Sequence, residues 1–248
     1  MTPLRRILAT IALLTRLPVG SQSACEAPAV WAFPLVGALV GGIILAVDTL
    51  GRELFPPGGA NWVVLTAWIT VTGAMHLDGV VDTADGLIGH GTSARRLEIM
   101  ADPRAGAFGV VAVVLVLLGK WVLLGDLDGS GRVRALFVAP FLARGILPLA
   151  LLLAPPARPH GMAVELARRT GRAGSLVSVG ITVVAALLVT FPAGLVLVGA
   201  GLLVVAVLAL WSRVALGGLT GDILGASVET VELFALLTAA ALIETKAW

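Results

Sequence analysis

Three aspartates, Asp78, Asp82 and Asp85, fall within eight positions at the end of a strongly apolar run, in "NWVVLTAWITVTGAMHLDGVVDTADG". At roughly 100° per residue they lie at about 0°, 40° and −20° around a helix axis, forming one stripe. A carboxylate near the centre of a bilayer costs roughly 2.5–3.5 kcal/mol, less at its edge, and three on one face repel one another. A divalent cation relieves both penalties, and octahedral Mg²⁺ combines carboxylates with the phosphate oxygens of a substrate. The competing reading is an acidic, hydrated helix end. The single stripe, with small Gly79, Ala84 and Gly86 leaving room beside it, favours the metal. His76 points about 160° away from Asp78 and reads as a structural or interfacial histidine.

Two further clusters accompany the first. Arg95, Glu98 and Asp102 are spaced i, i+3, i+7 in "SARRLEIMADPRAG", and Pro103 should end a helix there. Alone, that stripe is as readily a solvated face of weak ion pairs. It gains interest because it joins the first cluster to the next apolar span, where Arg95, Arg96 and Arg104 offer planar forks to phosphate oxygens. In "GGLTGDILGASVETVELF", Gly217, Gly218 and Gly221 precede Asp222, a glycine-rich turn into a helix that can present N–H groups to an anion. Asp222 and Glu229 share a face, while Glu232 is turned away by about 80°. Arg144 lies inside a span, in "LARGILP", where an arginine is functional or paired with a carboxylate. Lys120, near the outer end of its span, is expected to snorkel.

The elements that must carry these residues follow from composition. Of 248 residues, 58% are hydrophobic and 13% charged, and the mean hydropathy is +1.01. A soluble domain carries about 25% charged residues, so the chain reads as an all-α, polytopic transmembrane helical bundle. Candidate spans are 29–50, 61–80, 105–125, 133–154, 174–191, 193–211 and 223–243, seven in all, within one integral membrane domain covering 1–248. Tyr is absent and Trp numbers six, so the interfacial aromatic belt is thin. The net charge of +2 comes from arginines scattered over short loops and does not suggest a nucleic-acid partner. The one cysteine, Cys25, excludes an intrachain disulfide.

The opening segment loosely imitates a secretory or lipoprotein leader, but Arg16 and Pro18 interrupt its apolar run. A short helix lying at the interface or partly inserted is the better expectation. Loop arginines then orient the bundle. Arg5, Arg6, Arg16, Arg95, Arg96, Arg104, Arg158, Arg168, Arg169, Arg172 and Arg213 fall on the N-terminal side, against Arg52, Arg132, Arg134 and Lys246 on the other. By the positive-inside rule the N-terminal side is cytoplasmic, and all three acidic clusters lie on it. Carboxylates gathered at one membrane edge, with one or two Mg²⁺, suit chemistry on a phosphoanhydride. The residues alone therefore predict a membrane transferase using a nucleotide- or diphosphate-activated donor, with its acidic pocket facing the cytoplasm.

The segments "GAMHLDGVVDTADGL", "RRLEIMADPRAGAFG" and "GGLTGDILGASVE" closely resemble the cobalamin-5'-phosphate synthase (adenosylcobinamide-GDP ribazoletransferase) family. The likeness extends to "LLTRLPVG", "FPLVGALVGG", the Lys120 segment and "ARG" at 143–145, so it covers nearly the whole chain in order. The resemblance implies a Mg²⁺-dependent enzyme of a bacterial cytoplasmic (inner) membrane. Adenosylcobinamide-GDP would be the donor, α-ribazole or its 5'-phosphate the acceptor, and GMP the by-product. It implies catalytic and metal roles for Asp78, Asp82 and Asp85, with Glu98, Asp102 and Asp222 as further ligands or supports. Arg95, Arg104 and Arg144 become phosphate-binding candidates, joined by Gly218, Thr220 and Glu229 around the substrate. The loop 155–173 carries no motif that matches, and whether the chain is a homo-oligomer is left open. CDP-alcohol phosphotransferases fit less well, because Val80-Val81 follows Asp78-Gly79 where Ala-Arg is wanted, and Asp82 comes too soon. Prenyltransferases would need an asparagine before Asp78, and a cation-coupled transporter would show inverted repeats and charges at the membrane midplane.

Overall fold

In a computed structural model of the chain, which describes residues 2–20 and 27–245, hydropathy decides the architecture. Eleven α-helices form the described residues, with no strand among them. They are α1 (Pro3–Leu14), α2 (Phe33–Leu54), α3 (Pro57–Thr72), α4 (Met75–Ile88), α5 (Ser93–Ile99) and α6 (Ala107–Asp126). The remainder are α7 (Gly129–Ile146), α8 (Leu149–Leu153), α9 (Met162–Thr190), α10 (Gly194–Leu216) and α11 (Gly221–Glu244). Among the described residues, six helical segments are long and apolar enough to cross a bilayer, or seven if the bent pair α3–α4 counts as one. Side chains on the outer faces of α6, α9 and α10, such as Leu115, Leu188 and Leu203, are exposed, as lipid contact requires. Cys25 and Lys246 lie outside the described residues.

The expected span 61–80 is not one straight helix. Gly73 takes the left-handed conformation (φ 64°), which ends α3, and Ala74 follows it at φ 56°. The chain turns by 86° between α3 and α4. The three aspartates thus stay together on α4 but leave the axis of the apolar segment that precedes them. Beside this turn runs the N-terminal segment, whose Arg16 N–H donates to the Val71 carbonyl at 2.8 Å. At 12 residues, α1 is too short to span at 1.5 Å per residue, in keeping with an interfacial helix.

Close helix contact organises the remainder. Gly37 and Gly41 on α2 lie against the backbone of α7 at Phe137–Phe141, the small-residue seam usual between membrane helices. Buried Ile44, Val64, Trp68, Leu124 and Leu136 fill the centre between α2, α3, α6 and α7. At one end of the bundle gather α4, α5 and the starts of α6, α9 and α11. A two-bond clasp holds the 155–157 loop there: Leu219 N–H donates to the Pro155 carbonyl at 2.7 Å and Ala157 N–H to the Leu219 carbonyl at 2.8 Å. The opposite end is tied by Arg132, whose guanidinium donates to Asp48, to Asn61 and to the Leu124 carbonyl.

Candidate active site

The geometry begins at Gly79. A Cβ placed there would stand 2.6 Å from the Asp222 carbonyl oxygen, so α4 and α11 touch backbone to backbone at this point. That contact carries Asp78 and Asp82 to the first turn of α11, where Thr220 caps the helix by accepting from the Ile223 N–H at 3.3 Å. Asp82 lies in the combined field of Asp222, Asp78 and Asp85, opposed by Arg158. Asp78 and Asp222 both line a cavity of about 330 Å³, together with Arg158, His160 and Thr220. Carboxylates separated by 140 or more positions in sequence therefore gather at one end of the bundle.

These carboxylates are left without counter-charges in contact. Among the described residues the Asp78 and Asp82 side chains have no hydrogen-bond or ion-pair partner, and Asp222 has no ion-pair partner, with the Thr220 hydroxyl beside it. Hard oxygen donors with uncompensated negative charge suit a hard divalent cation. No group of three or more His, Cys, Asp or Glu side chains among the described residues is set as a ready-made metal cage. Mg²⁺ does not need one: it is commonly held by one or two carboxylates, with waters and substrate phosphates completing its octahedron. The donor set fits that mode.

The other candidate residues are positioned differently. Both oxygens of Asp85 are taken up at the start of α6, accepting from Gly106 N–H at 2.7 Å and Gly109 N–H at 2.9 Å. Asp85 thus ties α4 to α6, favoured by the helix dipole. Arg96 is likewise structural, donating to the Gly86 and Leu87 carbonyls at the end of α4. Glu98 pairs with Arg95 at 3.0 Å on an exposed face. The predicted stripe through Asp102 is interrupted because α5 ends at Ile99. Asp102 instead grips Arg104 at 2.7 Å. That hydrogen-bonded guanidinium lowers the Asp102 carboxyl to about 2. Gly218 packs on the Pro155–Ala157 backbone, so it serves the clasp and offers no open anion cradle.

Arg144 and Glu229, expected at the substrate, are instead part of a buried charge network. Lys120 donates to Glu229 at 2.6 Å and to Glu232 at 2.5 Å, and Arg144 donates to Glu232 at 2.6 Å. Trp68 Nε1 completes Glu232 at 3.1 Å, while the Lys120 ammonium lies 4.7 Å from the Trp68 ring centre. Lys120 therefore does not snorkel; it is 2% exposed. Glu229 and Glu232, three residues apart on α11, share this one lysine. Two cations balance two anions, and α3, α6, α7 and α11 are held together.

The cavity also recruits residues that sequence patterns do not single out. Arg158 and His160 come from the unassigned 155–161 loop, and Arg158 is steadied by donating to the Leu97 carbonyl at 2.9 Å. His76 faces the same cavity from α4 although it is only 4% exposed. Loop polarity is the one available signal for Arg158 and His160. A helical angle measured against Asp78 alone misses His76, because the cavity wraps around more than one face of α4.

An all-helical bundle with six or seven apolar crossings, and carboxylates gathered at one end, defines an integral membrane protein. The chain belongs to the cobalamin-5-phosphate synthase family, whose profile it matches over residues 6–240. It is 40% identical to the adenosylcobinamide-GDP ribazoletransferase of Pseudomonas paraeruginosa, with 96% of this chain and 98% of that one aligned. Proteins of the same name from Bradyrhizobium diazoefficiens (40% identical, 92% of this chain and 90% of that one) and Acetivibrio thermocellus (33%, 96% and 98%) are also similar. No solved structure matches the chain.

Proposed function

We propose that this protein joins adenosylcobinamide-GDP to α-ribazole, or to its 5'-phosphate, giving the corresponding adenosylcobalamin and GMP. The observation that carries this reading is the convergence of Asp78, Asp82 and Asp222 beside one cavity, in a chain matching its family over 6–240. An acceptor hydroxyl attacks the phosphorus attached to the cobinamide arm; the new P–O bond forms as the bond to the bridging oxygen breaks, and GMP departs with that oxygen. The hydroxyl proton passes to a carboxylate of the same cluster. One or two of Asp78, Asp82 and Asp222 would hold Mg²⁺, with waters and substrate oxygens beside them, and when bound it supplies charge neutralisation for the diphosphate. Arg158 adds a fixed positive charge over the same mouth, and Arg95 and Arg104 stand outside it on exposed, ion-paired stems.

We take the whole chain to act as one unit of a bacterial inner membrane with this mouth toward the cytoplasm, on the strength of the arginine-rich loops at that end. The test is GMP release by the purified full chain in proteoliposomes, with Mg²⁺ and with chelator. Release should require both proposed substrates and stop on chelation. Undiminished release in chelator would remove the metal, and no release under any condition would remove the reaction.

A further inference from the structure

Which of the two proposed substrates enters the 330 Å³ cavity is first a matter of size. Two bodies of very different bulk must meet at the carboxylates. The donor carries a corrin macrocycle with its amide arms and a guanosine diphosphate. The acceptor is a bicyclic aromatic base on a ribose. Small-molecule sites of this kind begin near ~300 Å³, so the cavity accommodates a nucleoside and excludes the corrinoid on volume alone.

Its lining agrees. Away from Asp78 and Asp222 the walls are Leu14, Phe33, Leu147, Met162 and Leu166, drawn from separate stretches of the chain. Such a surface rewards an apolar aromatic ring and leaves the polar amides of a corrinoid without partners. Guanosine is disfavoured too, because the polar edge of guanine would meet these apolar walls without partners.

Building on the proposed function, we infer that this cavity is the acceptor subsite: the benzimidazole riboside enters base-first against the apolar wall and presents its ribose to Asp78 and Asp222. The corrinoid donor stays outside and delivers only its diphosphate to the mouth.

The test uses the full chain in proteoliposomes, with Leu147→Phe and Val164→Phe, both at residues of the cavity wall, to fill the cavity. Steady-state GMP release is measured while each substrate is varied, with α-ribazole and its 5'-phosphate as separate acceptors. The filling variants should raise KM for both acceptors by about tenfold or more, and leave KM for the donor within about twofold. Equilibrium dialysis of labelled α-ribazole gives a second readout that does not need turnover: wild type should bind it and Leu147→Phe should lose it. A rise in donor KM with acceptor KM unmoved would overturn the assignment, as would unchanged values for both. If wild type releases no GMP, the proposed reaction fails while dialysis still decides the subsite.

Discussion

Two sets of charged side chains lie in this bundle, and the protein treats them in opposite ways. Lys120, Glu229, Glu232 and Arg144 are buried at mid-bundle, with each acid in contact with a cation. Asp78, Asp82 and Asp222 sit at one end, where no cation touches them. Along α11, Asp222 is about 15 Å from Glu232 at 1.5 Å per residue. A charge inside a membrane helix is usually read as functional. Here the balanced set fastens four helices, and the unbalanced set is left without a counter-charge in contact. What separates the two is the presence of a partner more than the depth of burial, and partners are supplied by distant parts of the chain.

The comparison breaks most sharply on paired substitutions. Glu232→Ala strands Lys120 and Arg144 in an apolar interior, and loss of one member of a buried pair costs about 3–5 kcal/mol. Thermal unfolding of the detergent-solubilised protein should show a large fall in midpoint, with activity lost alongside the fold. Asp82→Ala removes a repelled carboxylate, so its unfolding midpoint should match or exceed wild type, while GMP release drops by about 100-fold or more. A destabilised Asp82→Ala, or a stable Glu232→Ala, would erase the distinction between the two sets. The smallest effect is expected at the rim. Asp102→Asn breaks an exposed contact with Arg104, and exposed pairs are worth about 1 kcal/mol or less. Its activity and midpoint should stay close to wild type.

How much of this is legible in the sequence varies by residue. Hydropathy locates nearly every crossing, because lipid contact demands long apolar runs whatever the packing. It cannot register the 86° turn at Gly73–Ala74, since both α3 and the start of α4 are apolar. The aspartate stripe holds because its members share one short helix, and angular spacing is a local property. Loop order and charge asymmetry place Asp222 with them. Partnership is invisible: Lys120 and Glu229 are 109 positions apart, and helical angles within α11 say nothing about which neighbour fills the space opposite. Asp85 illustrates the same limit, for its carboxylate lies on the stripe yet is consumed by the first N–H groups of α6. The loop residues Arg158 and His160 have no periodicity to betray them.

The central claim is that acids from α4 and α11 act as one site. A double-mutant cycle on GMP release, using Asp78→Asn, Asp222→Asn and the combination, measures it directly. Groups that serve one site are strongly non-additive, so the double variant should fall no more than about threefold below the weaker single variant. Losses that simply multiply would mean the two helices contribute independently, and the shared site would have to be abandoned.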